Sequence, residues 1–167
     1  MVKINKGYVR KDTAEVTLYV PGILDDEGQL CEPIGGKKKP FIAIVRSRDS
    51  DEVKKASDRL RDEVTRWFQE NEPKRRQKER NVNTLMNEQF EVWKELTLDW
   101  ALDAIEGWIN APAEGEDGNP VDNPKYDPEA MREFLAEDTA HLMQIVGAYS
   151  ARNLGNFVGL KGKPKAA

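Results

Sequence analysis

Cys31 and His141 are the only cysteine and the only histidine in the chain, so any thiol chemistry would have to be assembled from this one pair. A nucleophilic cysteine needs a base or a cationic neighbour to supply the thiolate. Here the two residues sit in segments of different type, with no local catalytic signature around either, and the pair does not read as a catalytic couple. One cysteine also excludes an intrachain disulfide framework and a cysteine-based zinc site, and fits a reducing compartment. Gly35-Gly36-Lys37-Lys38-Lys39 sets glycine before lysine as a phosphate loop does, but the Walker spacing and the Ser/Thr after the lysine are missing. The acids of Glu114-Gly115-Glu116-Asp117-Gly118-Asn119 lack the alternating ligands and closing Glu of an EF-hand. No Ser/His/Asp set or paired carboxylates stand out from the many surface acids. The expectation is a protein without catalytic residues, cofactor or metal.

Lys74, Arg75, Arg76, Lys78 and Arg80 could neutralise a nucleic-acid backbone. No aromatic residue lies within the run to stack on bases, and the chain as a whole is acidic at net charge −4. A solvated connector therefore accounts for the segment better. A small nucleic-acid-binding regulator using Lys74–Arg80 is the alternative function. Charge is uneven, with 19 Lys/Arg against 15 Asp/Glu in residues 1–80 and 7 against 15 in residues 81–167. Such asymmetry can orient association with a partner.

The aromatic residues are more informative, and they imply helices. Val53, Ala56, Leu60, Val64 and Trp67 recur at steps of three or four with Phe68 beside them, an apolar stripe on an otherwise charged helix. Asp49 as N-cap, Glu52 three residues on and acid in the first turn mark its start, and Pro73 its end. From about Asn83 the period returns with Leu85, Met86, Phe90, Trp93, Leu96 or Thr97, Trp100, Ala104 and Trp108. Leu98, Leu102 and Ile105 add a second apolar face, which predicts that the later part of this long helix is enclosed. Four prolines in 110–128 predict an irregular loop. A last helix is expected from Pro128, with Met131, Phe134, Leu135, Leu142, Ile145, Val146 and Tyr149 as its apolar positions.

Aromatic side chains at helical spacing are core by default, yet so many on so few helices point to a partner anchor among them. The candidate partner-binding residues are Leu60, Val64, Trp67, Phe68, Phe90 and Trp93. Trp67 and Phe68, near the end of a highly charged helix, are the foremost; Trp93, Trp100 and Trp108 are also the core candidates.

Two strands precede the helices. Ala14–Val20 places Val16, Leu18 and Val20 on one face until Pro21-Gly22, and Phe41–Val45 follows the turn-rich stretch 21–40. Two strands alone are marginal in water, so the ribbon must pack on helices or on another chain. A chain of 167 residues, 38% apolar and 34% charged, suits one domain with a lean core. The expected fold is mainly α, about three amphipathic helices in a small bundle with an N-terminal antiparallel ribbon. Residues 1–13 are read as a flexible arm, 14–157 as the domain (14–46 ribbon, 49–157 helical) and 158–167 as a disordered basic tail. Neither a membrane span nor the apolar run of a signal peptide is seen, and a cytoplasmic location is expected.

Taken in order, the segments resemble the tail assembly chaperones of long-tailed, siphovirus-like bacteriophages. The likeness runs from Leu18-Tyr19-Val20-Pro21 through a second strand to Arg46-Ser47-Arg48-Asp49-Ser50-Asp51-Glu52 opening a helix. Its more specific part is Ala104-Ile105-Glu106-Gly107-Trp108, the Asp117-Gly118-Asn119-Pro120-Val121 turn, Tyr126-Asp127-Pro128-Glu129-Ala130, and Asn153-Leu154-Gly155-Asn156-Phe157. The resemblance covers about residues 14–157, with a long 21–40 loop as its main departure. It implies a non-enzymatic protein that binds the tape measure protein, helps recruit major tail protein during tube assembly, and can self-associate. It further implies action in the cytoplasm of the infected host and absence from the mature virion. Many relatives also make a longer product by ribosomal frameshifting, and the Gly162-Lys163 and Pro164-Lys165 pairs are compatible with slippery codons.

Overall fold

The computed structural model describes residues 2, 4, 7–75, 82–150 and 153–160, and in them seven short strands and four helices follow one another in groups. Their order is β1 (Tyr8–Arg10), β2 (Thr13–Thr17), β3 (Ile42–Arg46), α1 (Asp51–Arg75), α2 (Val82–Ala104) and β4 (Ile105–Ile109). Then come β5 (Ala113–Glu114), β6 (Pro120–Val121), α3 (Pro128–Glu137), α4 (Thr139–Gly147), a 3-10 turn over Leu154–Phe157, and β7 (Val158–Leu160). The architecture is mixed α/β, which corrects the mainly helical expectation.

The source of that correction is β4. Ile105 and Trp108 keep the helical spacing of the residues before them, so the sequence pattern carries the helix through Trp108. In the structure α2 stops at Ala104 and the next residue begins a strand. β2 and β3 form the expected antiparallel pair, with Ala14 opposite Val45 and Val16 opposite Ala43. β4 adds to β3 with Ile42 opposite Ile109 and Ala43 opposite Trp108, and the register shifts between Ile44 and Val45. The sheet order is β2-β3-β4. Three strands with one buried face are stable where a two-strand ribbon is not.

Arg46, the last residue of β3, supports the abrupt change from helix to strand. Its Nη1 donates to the carbonyl of Asp103 at 2.7 Å and to that of Ile105 at 3.1 Å. The Asp103 carbonyl lies in the last turn of α2, where it has no partner within the helix, and a cation there also suits the helix dipole. Tyr149 Oη donates to the Arg46 carbonyl at 2.6 Å. Burial pushes the Tyr149 phenol well above its ordinary pKa, with Arg46 opposing the shift.

Alternation along β3 puts Ala43 and Val45 fully inside, where they meet Leu18, Val53, Leu98 and Ile105. Met131, Leu135, Leu142 and Ile145 complete the core, all with no exposed surface. Each such side chain contributes about 1.5–3 kcal/mol by leaving water. Five rings run in succession through this region: Tyr126, Trp108, Phe41, Phe134 and His141, with neighbouring centroids 5.0, 6.3, 5.2 and 4.3 Å apart.

Three local boundaries differ from expectation. Ser50, not Asp49, caps α1, since Val53 N donates to Ser50 Oγ at 3.3 Å and the helix begins at Asp51. Asp49 is drawn instead into an ion pair with Arg10. α1 continues through Pro73 to Arg75. The single last helix divides at Asp138, whose extended backbone ends α3 and whose carboxylate accepts from Ala140 N at 2.8 Å to cap α4. Asp127 caps α3 in the same way, accepting from Glu129 N at 3.0 Å ahead of Pro128.

Residues 8–10 of the expected arm and 158–160 of the expected tail are strands, while residues 161–167 lie outside the described residues. Tyr8–Arg10 pairs antiparallel with Val158–Leu160, Tyr8 opposite Leu160, and Lys11 N donates to Phe157 O at 2.7 Å. The 21–40 segment is exposed at its tip, where Ile23 and Leu24 are exposed apolar residues, but its base is anchored. The Gln144 side-chain amide exchanges hydrogen bonds of 2.8 and 3.0 Å with the backbone of Tyr19, as a neighbouring strand would. Gly35 has φ +86°, and a Cβ there would lie 2.5 Å from the Lys39 carbonyl, so the turn before Phe41 requires glycine.

Candidate protein-binding surface

α1 and α2 form an antiparallel hairpin whose lower half belongs to the core and whose upper half does not. Trp100 Nε1 donates to Ser57 Oγ at 3.1 Å, and Arg59 pairs with Asp103, which fixes the register of the two helices. Val53 and Ala56 are buried, and Leu60 is the last α1 residue packed against the core. From Leu60 to Arg75 the helix continues for about 22 Å at 1.5 Å per residue.

A single stripe on α2 shows the change. At about 100° per residue, Met86, Phe90, Trp93, Thr97, Ala101 and Ala104 share one face. The lower three are buried by the domain, with Thr97 4% exposed and the two alanines fully covered. The upper three have no such cover: Trp93 is half-buried, Phe90 is 48% exposed and Met86 is 62% exposed. The apolar pattern of the core thus runs on past the point where the core ends.

α1 supplies the second wall. Val64, Trp67 and Phe68 are half-buried. Trp67 and Phe68 meet edge to face at 5.3 Å, and Phe90 lies 5.9 Å from Trp93 at a tilt of 31°. Asn71 is buried near the top, its Nδ2 donating to the Trp67 carbonyl at 2.8 Å. This is a local back-bond from side chain to the preceding turn of the same helix.

Of the six candidate residues, the structure gathers five on the upper hairpin: Val64, Trp67, Phe68, Phe90 and Trp93. Leu60 belongs to the core. Phe90, not Trp67 or Phe68, is the most exposed of the aromatic residues here. Met86 belongs to the same surface though it was not among the candidates, and its place on the stripe four residues before Phe90 is the signal that identifies it. Trp100 is 8% exposed and packs on Tyr149 at 5.2 Å. Trp108 is half-buried on β4, its Nε1 donating to Pro124 O at 2.8 Å.

Charges flank the hairpin. Arg132 of α3 bridges Asp99 at 2.7 Å and Glu95 at 3.1 Å, and the bond to Asp99 raises its already high pKa. Glu63 and Arg66 pair at 3.0 Å on α1. The basic segment Lys74–Arg80 falls outside the described residues except for the helical backbone of Lys74 and Arg75.

The residues considered for chemistry are each held locally. Cys31 Sγ–H donates to Ile23 O at 3.7 Å in the 21–40 segment. His141 stacks on Phe134 with 9° between ring planes, and neither ring nitrogen has a hydrogen-bond partner among the described residues. Asp117 accepts from the backbone and side chain of Asn119, which lowers its pKa and closes the turn between β5 and β6. Among the described residues no group of three His, Cys, Asp or Glu converges as a metal site, and no helix is long and apolar enough to cross a membrane. No protein-family model, curated protein or solved structure matches the chain.

Proposed function

We propose that this chain is a non-enzymatic tail assembly chaperone of long-tailed bacteriophages. In this role it binds the tape measure protein and helps recruit major tail protein while the tail tube polymerises. The observation that carries the proposal is the bare upper hairpin, where an apolar stripe continuous with the core is left for a partner to cover. A long helical client offers apolar residues at matching helical spacing, and helix-in-groove binding is the corresponding mode. The order of segments along the chain, from the first strand to Asn153–Phe157, supports the same reading. The work would be done in the cytoplasm of the infected host, and the chaperone would be released before the virion is complete.

Co-expression with the tape measure protein should raise the soluble yield of that client and give a complex that co-purifies. Phe90→Glu should abolish the complex while leaving the thermal unfolding midpoint within about 2 °C, as expected for a half-exposed position away from the core. No gain in client solubility and no complex with the unsubstituted chain would defeat the proposal.

A further inference from the structure

We infer that the free edge of β2 is a docking site for a short extended segment of a second protein, which adds to the three-stranded sheet as a fourth strand and sets a basic side chain opposite Glu15. The site uses neither α1 nor α2, and it does not depend on the client-binding role proposed above.

The direction of the backbone identifies the occupant as a strand. β2 stands at the edge of the sheet, with β3 on one side. Ser47 N donates to Asp12 O at 2.6 Å and Leu18 N to Phe41 O at 2.9 Å, at the two ends of the β2–β3 pairing. Antiparallel bonding alternates along a strand, so the even-numbered residues from Asp12 to Leu18 turn their backbone groups to β3, and Thr13, Glu15 and Thr17 turn theirs away. Among the described residues these outward groups have no hydrogen-bond partner. Strand edges of this kind are ordinarily covered or blunted.

Both ends of the gap are filled as a neighbouring strand would fill them. At Tyr19 the Gln144 side-chain amide takes the outward N–H and C=O, at 2.8 and 3.0 Å. At Lys11, Phe157 O accepts the N–H at 2.7 Å, next to the start of β7. The five residues Thr13–Thr17 between these stops set the length of the occupant, about 17 Å of strand. Open space adjoins them, in a cleft of about 600 Å³ lined by Lys11, Thr13, Ala14, Glu15, Asn156 and Val158.

The side chains of the edge set the chemistry of the occupant. Ala14 is buried and Val16 half-buried against the core, so the residues across from them meet the rim of the core and are apolar. Thr13, Glu15 and Thr17 point to the other face, with Glu15 exposed and without an ion pair among the described residues. Its charged neighbours are turned elsewhere. Lys11 lies over β7, its Cε 3.4 Å from the position a Cβ would take on Gly159. Arg10 pairs with Asp49, and Arg46, opposite Thr13, donates to the carbonyls of Asp103 and Ile105. Asp12 lines a separate cleft with Glu52 and Glu106. Glu15 is left for a lysine or arginine directly across, flanked by apolar residues that meet Ala14 and Val16.

The probe is the capped peptide acetyl-Ser-Thr-Val-Lys-Val-Thr-Ser-amide, whose lysine falls opposite Glu15 when it lies antiparallel on β2. In the free chain, amide exchange followed by NMR should be slow at Ala14, Val16 and Leu18 and fast at Thr13, Glu15 and Thr17. The peptide should bind with a Kd of about 0.1–1 mM, weak because so short a segment must be ordered. It should shift those three outward amides most and slow their exchange about fivefold or more at saturation. Methylating the backbone nitrogens of its lysine and two threonines removes the N–H groups that face β2 and should abolish binding, whereas methylating those of its two valines should not. Glu15→Lys should weaken the peptide about fivefold, and a peptide with glutamate in place of the lysine should restore binding to that variant. Phe90→Glu should leave peptide binding unchanged, so the edge and the client surface are scored separately. Slow exchange at Thr13, Glu15 and Thr17 in the free chain, no shift of the β2 amides at about 5 mM peptide, or equal binding by the two methylated peptides overturns the inference.

Discussion

Replacing Arg46 by alanine removes a side chain that spans the junction between α2 and β4. Its two hydrogen bonds run from a permanently charged donor to the carbonyls of Asp103 and Ile105, at 2.7 and 3.1 Å. Bonds to a charged group contribute about 1.5–3 kcal/mol each in favourable geometry. The second here is long and the site is only partly buried, so the pair is better valued as one full bond and a fraction of another. Loss of a cation at the helix C-terminus adds a few tenths of a kcal/mol. The expected destabilisation is about 2–3 kcal/mol, which for a domain of this size lowers the thermal midpoint by about 5–10 °C. Arg46→Lys keeps the charge but not the planar fork and should recover about half of the loss. Arg48→Ala, two residues on and exposed, serves as the control and should stay within about 0.5 kcal/mol. Scanning calorimetry and urea titration of the three variants read these differences directly. An Arg46→Ala variant no less stable than Arg48→Ala would refute the view that Arg46 secures the helix-to-strand change.

Two further outcomes follow from local geometry. Gly35→Ala should cost about 2–3 kcal/mol in urea titration, because it meets the Lys39 carbonyl and is held at positive φ; Gly36→Ala, at φ +85° with open space around it, should cost only about 1 kcal/mol. Equal losses would show that the close approach at Gly35 is relieved without cost. Burial holds the Tyr149 proton in the folded state, whereas the unfolded chain begins to release its own near about pH 10. The stabilisation is therefore complete below about pH 10 and is lost as the pH rises above it. Tyr149→Phe should cost about 1 kcal/mol at neutral pH through the lost bond to Arg46 O. It should also flatten the alkaline decline measured between pH 9 and 11, and an unchanged slope would count against the burial argument.

What the sequence reveals depends on how local each cause is. α1 is legible from Val53, Ala56, Leu60, Val64 and Trp67 because a helix is its own hydrogen-bond partner and its stripe needs only a neighbour to face. β2 is legible from alternation and β3 from its short run of β-branched and aromatic residues. The end of α2 is not, since Ile105 and Trp108 satisfy helical spacing and strand pairing equally well, and the choice is made by β3 and Arg46, about 60 residues away in sequence. β-branched Ile105 and Ile109 around Gly107 are the only local hint. Asp138 was a readable cap, since Asp before a short polar stretch favours a helix start, but the apolar period continues across it. β1 and β7 carry three residues each and no pattern that could announce their pairing. At the candidate surface the residue types were legible, while their exposure was not. Which part of a continuous stripe is bare depends on where the rest of the domain stops, and that is a tertiary fact.

The pairing of Tyr8 with Leu160 brings together two points separated by nearly the whole chain. Opposed residues in an antiparallel pair lie about 5 Å apart at Cα, so a short linker can join these strands without disturbing any other element. The 21–40 segment, exposed at its Asp25–Gln29 turn, can then be opened to provide new ends. Such a circular permutant would keep every strand pair and every helix contact of the original domain. It would open the chain at a surface turn and leave the hairpin untouched for display of a client.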